Sequence, residues 1–485
     1  MNQEWHPTRL FQGLALACVV MLSIANRLCA QTDPEVEKAP VWDCYKSGSK
    51  HVVWRAKIGS GAGGVALAQE KILVGSRFDR EDPLTHKTIE DGGSMMCFNS
   101  RTGEFLWQSH HPRLPERVHD MLGFVNSRPW VEGKRAWYVS NRGELVCVDT
   151  EGFRDGKNDG PFTAENLTGP SDADYVWKLD MVRELGVFKR DAGDNWSAIC
   201  SPVVLGDLVF CVTGEGCRLP DQPGSAPSFL AVNKENGKVV WSSHAPGQKI
   251  MYSQWSSPVI ARVKDQDQIV FPGGDGWLYG FEPKTGKLIW KVNCNDPSLR
   301  EWRLDSGGGH ATGNVKHFFV GTPTVHRDTI YVGLNNDFED AQTNAPLYAL
   351  SLGHRGDATA KAVRWKFKHP DFGSTYSSPA IADGIVYVLG YRAVLFALDE
   401  KNGKEIWHCR LANDDARGIG SPIIAGGKVL VGTEDGELVV LSAGRIKKCL
   451  GRFQMPGPIY HAPVVANNSV YIAAGEELLK LRLPE

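Results

Sequence analysis

One phrase is written four times along this chain: residues 99–107 (NSRTGEFLW), 233–241 (NKENGKVVW), 282–290 (EPKTGKLIW) and 399–407 (DEKNGKEIW). Each places a Gly four residues before a Trp, with short apolar runs on both sides. An apolar run ending in Asp or Asn, a turn with Gly, and a second run ending in Trp is the pattern of a β-hairpin. Worn copies carry Trp54, Trp177 and Trp365, and Cys449 is expected at the eighth matching place. A small-Pro-apolar phrase recurs between the hairpins, at residues 127–132, 200–205, 256–261, 321–326, 377–382, 420–425 and 461–466, with a degenerate copy at 63–68.

Two hairpins per repeat, eight repeats and no helical periodicity predict an all-β chain: an eight-bladed β-propeller of four-stranded antiparallel blades. The last copy stops after three strands, whereas residues 51–59 (HVVWRAKIG) are a Trp strand with no predecessors. Pairing the two chain ends in one blade would close the ring and remove an unprotected edge. Trp54, Trp107, Trp177, Trp241, Trp290, Trp365 and Trp407 are then expected to dock each blade against its neighbour.

Residues 10–25 form an apolar run after Arg9, and Leu28-Cys29-Ala30 offers a small-residue cleavage site. We read residues 1–30 as a secretory signal peptide, 31–49 as an N-terminal extension and 50–485 as the propeller, which predicts an exported protein, periplasmic, envelope-associated or secreted. The run is too short for a confident span, and no later stretch approaches the length a transmembrane helix needs. A formal net charge of −2 gives no electrostatic case for nucleic acid. Of 11 cysteines, Cys18 and Cys29 leave with the leader, so an odd number remains. That count does not describe a disulfide scaffold, although Cys200 and Cys211 flank a hairpin where a bridge is conceivable.

In antiparallel blades the loops between strands 2 and 3 share a face with the connections between blades. Long insertions at 77–93, 180–199, 215–228, 293–320 and 335–346 fall on that face, and those at 152–174 and 353–362 on the other. Loops gathered at one end of a rigid scaffold are where binding is expected. Three residues before the recurring Pro, even blades carry Asn126, Trp255, Tyr376 and Tyr460, while odd blades carry Ile199, Val320 and Ile419. With Asp194, Asn195, Trp196, Lys316, His317, Arg417 and His461 these form a candidate ligand-binding channel mouth. Gly59 to Gly64 match G-x-G-x-x-G, but a strand pair follows in place of a helix, so the glycines are read as an inter-blade crossing.

The A-x-D/N-x-x-T/N-G-K-x-x-W phrase resembles the repeat of pyrroloquinoline quinone (PQQ) dehydrogenases and of the related propeller component of the outer-membrane β-barrel assembly machinery. The resemblance spans about residues 50–485. It implies either a PQQ and Ca²⁺ quinoprotein that oxidises an alcohol or sugar, or a scaffold that binds a protein or small ligand. The quinoprotein pattern places PQQ between a Trp and a disulfide of adjacent cysteines, beside calcium. Trp196 or Trp255 would be its stacking residue, and Asp194 and Asn195 would supply oxygens. The chain has no Cys-Cys pair and no C-x-x-C-H. His and Cys spacing supports no structural metal, and no catalytic residue is assigned. The expectation is a binding scaffold, with no cofactor and a protein or small-ligand partner on the loop-rich face. Cys29 follows Asn26-Arg27-Leu28 and does not fit a lipid-attachment box.

Overall fold

The computed structural model describes residues 32–483 except 45, 47, 60, 82–87, 113–122, 189–199, 219–225, 302–314, 336–344 and 414–415. The leader, Asp194, Asn195, Trp196 and Ile199 lie outside the described residues. The chain folds into eight small sheets of antiparallel strands, the eight-bladed propeller. Blades 1 to 7 run in chain order from Val65–Ala68 to Cys449–Gln454. The eighth joins Val52–Lys57 to the three C-terminal strands, with Trp54 opposite Lys480.

Local chemistry explains both recurring phrases. The innermost strands begin directly after the recurring Pro, as Val259–Val263 does after Pro258, a position where the missing N–H costs no ladder bond. The residue before that Pro stitches neighbouring blades. The Ser201 hydroxyl accepts from the Arg128 N–H at 2.9 Å, Ser257 from the Ser201 N–H at 2.8 Å, and Ser421 from the Ser378 N–H at 2.9 Å. Gly63 and Gly64 serve the same crossing, since a Cβ on Gly64 would lie 2.4 Å from Arg128 Cβ.

In the hairpin phrase, a small residue on the third strand faces the Trp of the fourth: Ala231 faces Trp241, Ala349 faces Trp365 and Ala397 faces Trp407. A β-bulge follows each pair, letting the Trp strand twist outward over the next blade. There the indole lies on the hairpin Gly of the following phrase. Trp54 packs on Gly103, Trp177 on Gly237, Trp241 on Gly286 and Trp365 on Gly403. These glycines have φ of 77°, 70°, 68° and 69°, so the turn and the close approach both require the absent side chain. Each indole Nε1 also donates to a backbone carbonyl of the same turn, as Trp365 does to Glu400 at 2.9 Å. Trp107 and Trp407 donate in the same way to Thr150 O and Gly444 O of the following blade, each at 2.9 Å.

Trp290 differs. Its indole packs on Gly280 in its own blade and donates to Gln268 Oε1 at 2.8 Å. The joint to blade 5 is made by the short strand Gly356–Asp357, which pairs in parallel with the Trp290 strand, and by the helix Thr359–Ala362.

Three expectations are corrected. Residues 77–81 and 88–93 are not loop; they extend the paired strands Lys71–Glu81 and Thr88–Asn99, and residues 82–87 lie outside the described residues. Cys200 and Cys211 are buried and not joined by a disulfide: Cys200 Sγ donates to Val212 O at 2.8 Å, while Cys211 Sγ lies 3.9 Å from Met181 Sδ. Cys449 does not occupy the Trp place of blade 7. Val440 faces Gly451, and the indole that fills that space is Trp42, delivered by the strand Val41–Asp43 in parallel register with blade 7. The N-terminal extension is therefore part of the seventh and eighth blade joint, where Trp42 also meets Phe453 at 4.7 Å between ring centres.

Candidate functional site

Innermost strands of neighbouring blades meet around the axis, as Val65–Ala68 does with Trp130–Glu132 on one side and Val464–Ala466 on the other. The segments leading into them, with the turns between strands 2 and 3, form one face. The structure separates the channel-mouth residues there into two groups.

The first group crosses blades 6, 7 and 8. Tyr376 stands before its innermost strand with its ring 5.4 Å from Tyr391, a residue of the turn between strands 2 and 3 of the same blade. Arg417 enters from the next inter-blade segment, its backbone N–H donating to Glu434 Oε2 at 2.9 Å and its Nε to both carboxylate oxygens at 3.1 Å, with Nη2 on Oε1 as well. Burial pushes the Glu434 carboxyl up, but Arg417 outweighs it and holds the pKa below the ordinary value. Arg417 in turn is raised by that hydrogen bond. Tyr460 follows at 39% exposure, its hydroxyl raised first by burial and then by the Glu434 charge. His461 comes next in the chain. Burial, and then the charge of Arg128, lowers it to about 4, so it is neutral at ordinary pH. Asn126 lies two residues before Arg128, and its carbonyl accepts from the Gly64 N–H at 3.1 Å.

Arg128 and Glu434 were not among the sequence candidates. Arg128 was legible, since it breaks a series of Ser201, Ser257, Thr322, Ser378 and Ser421 at the position before Pro. Tyr391 and Glu434 lie in turns whose partners are remote in sequence, and no local signal marks them.

The second group sits on blades 4 and 5. Trp255 is buried, edge-on to Tyr252 at 5.3 Å and to Phe318 at 5.4 Å. His317 is buried too. Its backbone is clamped by Asn295, and burial lowers its imidazole to about 4. Lys316 pairs with Glu301 at 2.7 Å. This group is a packed wall, not an open cation site.

Asp194, Asn195 and Trp196, on which most of the PQQ and calcium expectation rests, lie outside the described residues. Among the described residues no three His, Cys, Asp or Glu groups converge as metal ligands. Trp255 already has aromatic neighbours on its ring, and no adjacent cysteines exist in the chain.

A family model described as outer membrane protein assembly factor BamB matches residues 169–332 and 300–482, more than half of the chain. The chain belongs to this family. Among curated relatives, the assembly factor BamB of Legionella pneumophila is 24% identical over 225 residues, covering 46% of this chain and 49% of that protein. Polyvinylalcohol dehydrogenase of a Sphingopyxis species is 24% identical over 233 residues, covering 39% and 35%. The chain thus spans about half the length of the first of these relatives and about a third of the second. The crystal structure of BamB from Moraxella catarrhalis superposes with a TM-score of 0.52 at 14% identity, covering 89% of this chain and 98% of that one. That likeness shows the fold. The family includes both scaffold-like and quinoprotein-like relatives, and a propeller scaffold is compatible with either.

Proposed function

We propose that this protein is an exported binding scaffold of the cell envelope, working without bound PQQ, that presents its loop-rich face to a protein partner. The observation that carries this reading is the run of Tyr376, Tyr391, Arg417, Glu434, Tyr460 and His461 across three blades. It sets the exposed Tyr460 beside a preset Arg-Glu pair on one face, with Tyr376 and Tyr391 buried behind them. Tyr and Arg are the side chains that most often anchor protein interfaces, because they bury large areas at low entropic cost. A carboxylate that already holds Arg417 fixes its fork without help from a ligand. Relatives named as outer-membrane assembly factors support an envelope location and a protein partner. Among the described residues no helix is long and apolar enough to cross a membrane.

A photoreactive amino acid at Tyr460, against a control at the exposed Lys157, tests this in intact cells. Adducts from position 460 and none from 157 are expected. Adducts from 157 alone would move the binding face to the opposite side. In parallel, PQQ with Ca²⁺ is added to the purified protein. A saturable rise in melting temperature, where a ligand at about 100 times its Kd stabilises by about 2.7 kcal/mol, would favour the quinoprotein reading instead.

A further inference from the structure

A second concave site lies away from the channel, at the outer rim between blades 1 and 2. It is a cleft of about 480 Å³. Its wall is built by the insertion that follows blade 2's third strand. That insertion runs back along the outermost strand, with the Phe162 N–H donating to Val176 O at 3.2 Å, and then joins blade 1 where the Ala173 N–H donates to Gln108 O at 3.0 Å.

Lys178 stands on that outermost strand, opposite Val146. Its Nζ lies 3.3 Å from the centre of the Tyr175 ring and 4.8 Å from that of Phe162. Among the described residues no carboxylate comes within ion-pair distance of it, although several line the same cleft. Glu144 and Glu165 lie close enough for their charge to act on Lys178 without pairing with it, and four of the acids make other hydrogen bonds. Glu144 holds His111 Nδ1 at 3.0 Å, Asp180 accepts the Arg183 N–H at 2.9 Å, Glu184 accepts the Asp180 N–H at 2.8 Å, and Glu165 accepts from Asn158 Nδ2 at 3.1 Å. Burial holds the Lys178 ammonium below its usual range. An ammonium has three donors, and ring faces satisfy its charge without accepting its hydrogens along a lone pair. Arg142 lines the same cleft, with one nitrogen on Pro112 O at 3.2 Å and another 3.5 Å from Glu144. The cleft therefore holds a partly desolvated cation beside aromatic surface, with no ion-pair partner among the described residues.

We propose that this cleft binds a small carboxylate carried on a flat apolar body, the carboxylate on Lys178 and Arg142 and the body against Phe162. Such a group is either a free aromatic acid or the C-terminal aromatic residue of a peptide.

The probe is benzoate, with benzamide as its neutral isostere, and the readout is acetylation of Lys178 by acetic anhydride, followed by peptide mass. Benzoate protects Lys178 saturably and benzamide does not. Lys178→Met weakens benzoate binding, followed by calorimetry, about tenfold or more, the loss of one charge-assisted hydrogen bond, whereas Lys178→Arg keeps it. Lys157→Met, on the exposed part of the same insertion, changes nothing. N-acetyl-phenylalanine binding more tightly than benzoate identifies a peptide terminus, and the reverse order a free acid. Equal protection by benzamide, or unchanged benzoate affinity in a folded Lys178→Met protein, overturns the proposal.

Discussion

The indole of Trp241 in blade 3 rests on Gly286 of blade 4: a Cβ there would lie 2.5 Å from the ring, and Nε1 donates to Pro283 O at 2.7 Å. Gly286→Ala should therefore cost about 2–4 kcal/mol, combining a left-handed backbone with a side chain forced into the indole. Gly206→Ala is the control, since Gly206 has φ of 60° and open space around it. It should cost only about 1 kcal/mol. Denaturant midpoints of the two variants separate docking from backbone strain, and equal losses would mean that the indole contact contributes nothing.

Blade 7 borrows its Trp from the N-terminal extension, which makes a rescue experiment available. Trp42→Ala should lower stability by about 3 kcal/mol or more, as for other large aromatics removed from a packed site. Gly451→Trp alone should also destabilise, because a Cβ at Gly451 would stand 2.1 Å from the Trp42 ring. Combined, the two changes should recover part of the loss, restoring the pattern of the other blades. Strictly additive losses in melting temperature would show that the sites do not share one space.

Asp275 is buried in a turn of blade 4, where Tyr279 Oη donates to Oδ2 at 2.7 Å and the Trp277 N–H to Oδ1 at 3.2 Å. Burial outweighs those bonds and raises its pKa from 3.8 to about 6. With the folded value above the unfolded one, its contribution is complete below the unfolded pKa and is lost as pH rises through the folded one. Between about pH 4 and pH 7 the parent should lose about 2–3 kcal/mol relative to Asp275→Asn. Parallel pH profiles would count against a raised carboxyl. His317 and His461, lowered to about 4, act in the opposite sense: their contribution is present above the unfolded histidine value and lost as pH falls towards about 4.

Glu434→Gln removes the charge that fixes Arg417. Arg417 is 40% exposed, so water screens the loss to about 1 kcal/mol of stability. The larger effect should fall on the face itself: crosslinking from position 460 should drop while the melting temperature barely moves. An unchanged crosslinking yield would place the partner elsewhere.

The blade count and the ring closure were legible because each repeat writes its own hairpin. A Gly that must adopt positive φ and a small residue that must face a Trp are local demands, and one chain shows them several times over. What the sequence could not assign is which surface fills a gap when a copy is worn. Gly451 leaves a hole that a residue some four hundred positions earlier fills, and only the closed ring brings Trp42 there. The same holds for function. Trp255 and Tyr376 occupy equivalent places in their repeats and both are buried, yet one packs against Tyr252 and Phe318 while the other packs against Tyr391 beside Arg417. Periodicity determines which strand a residue is on. Whether that residue meets solvent, a partner or another ring is decided by loops and ends that do not repeat, so packing across blades had to supply it.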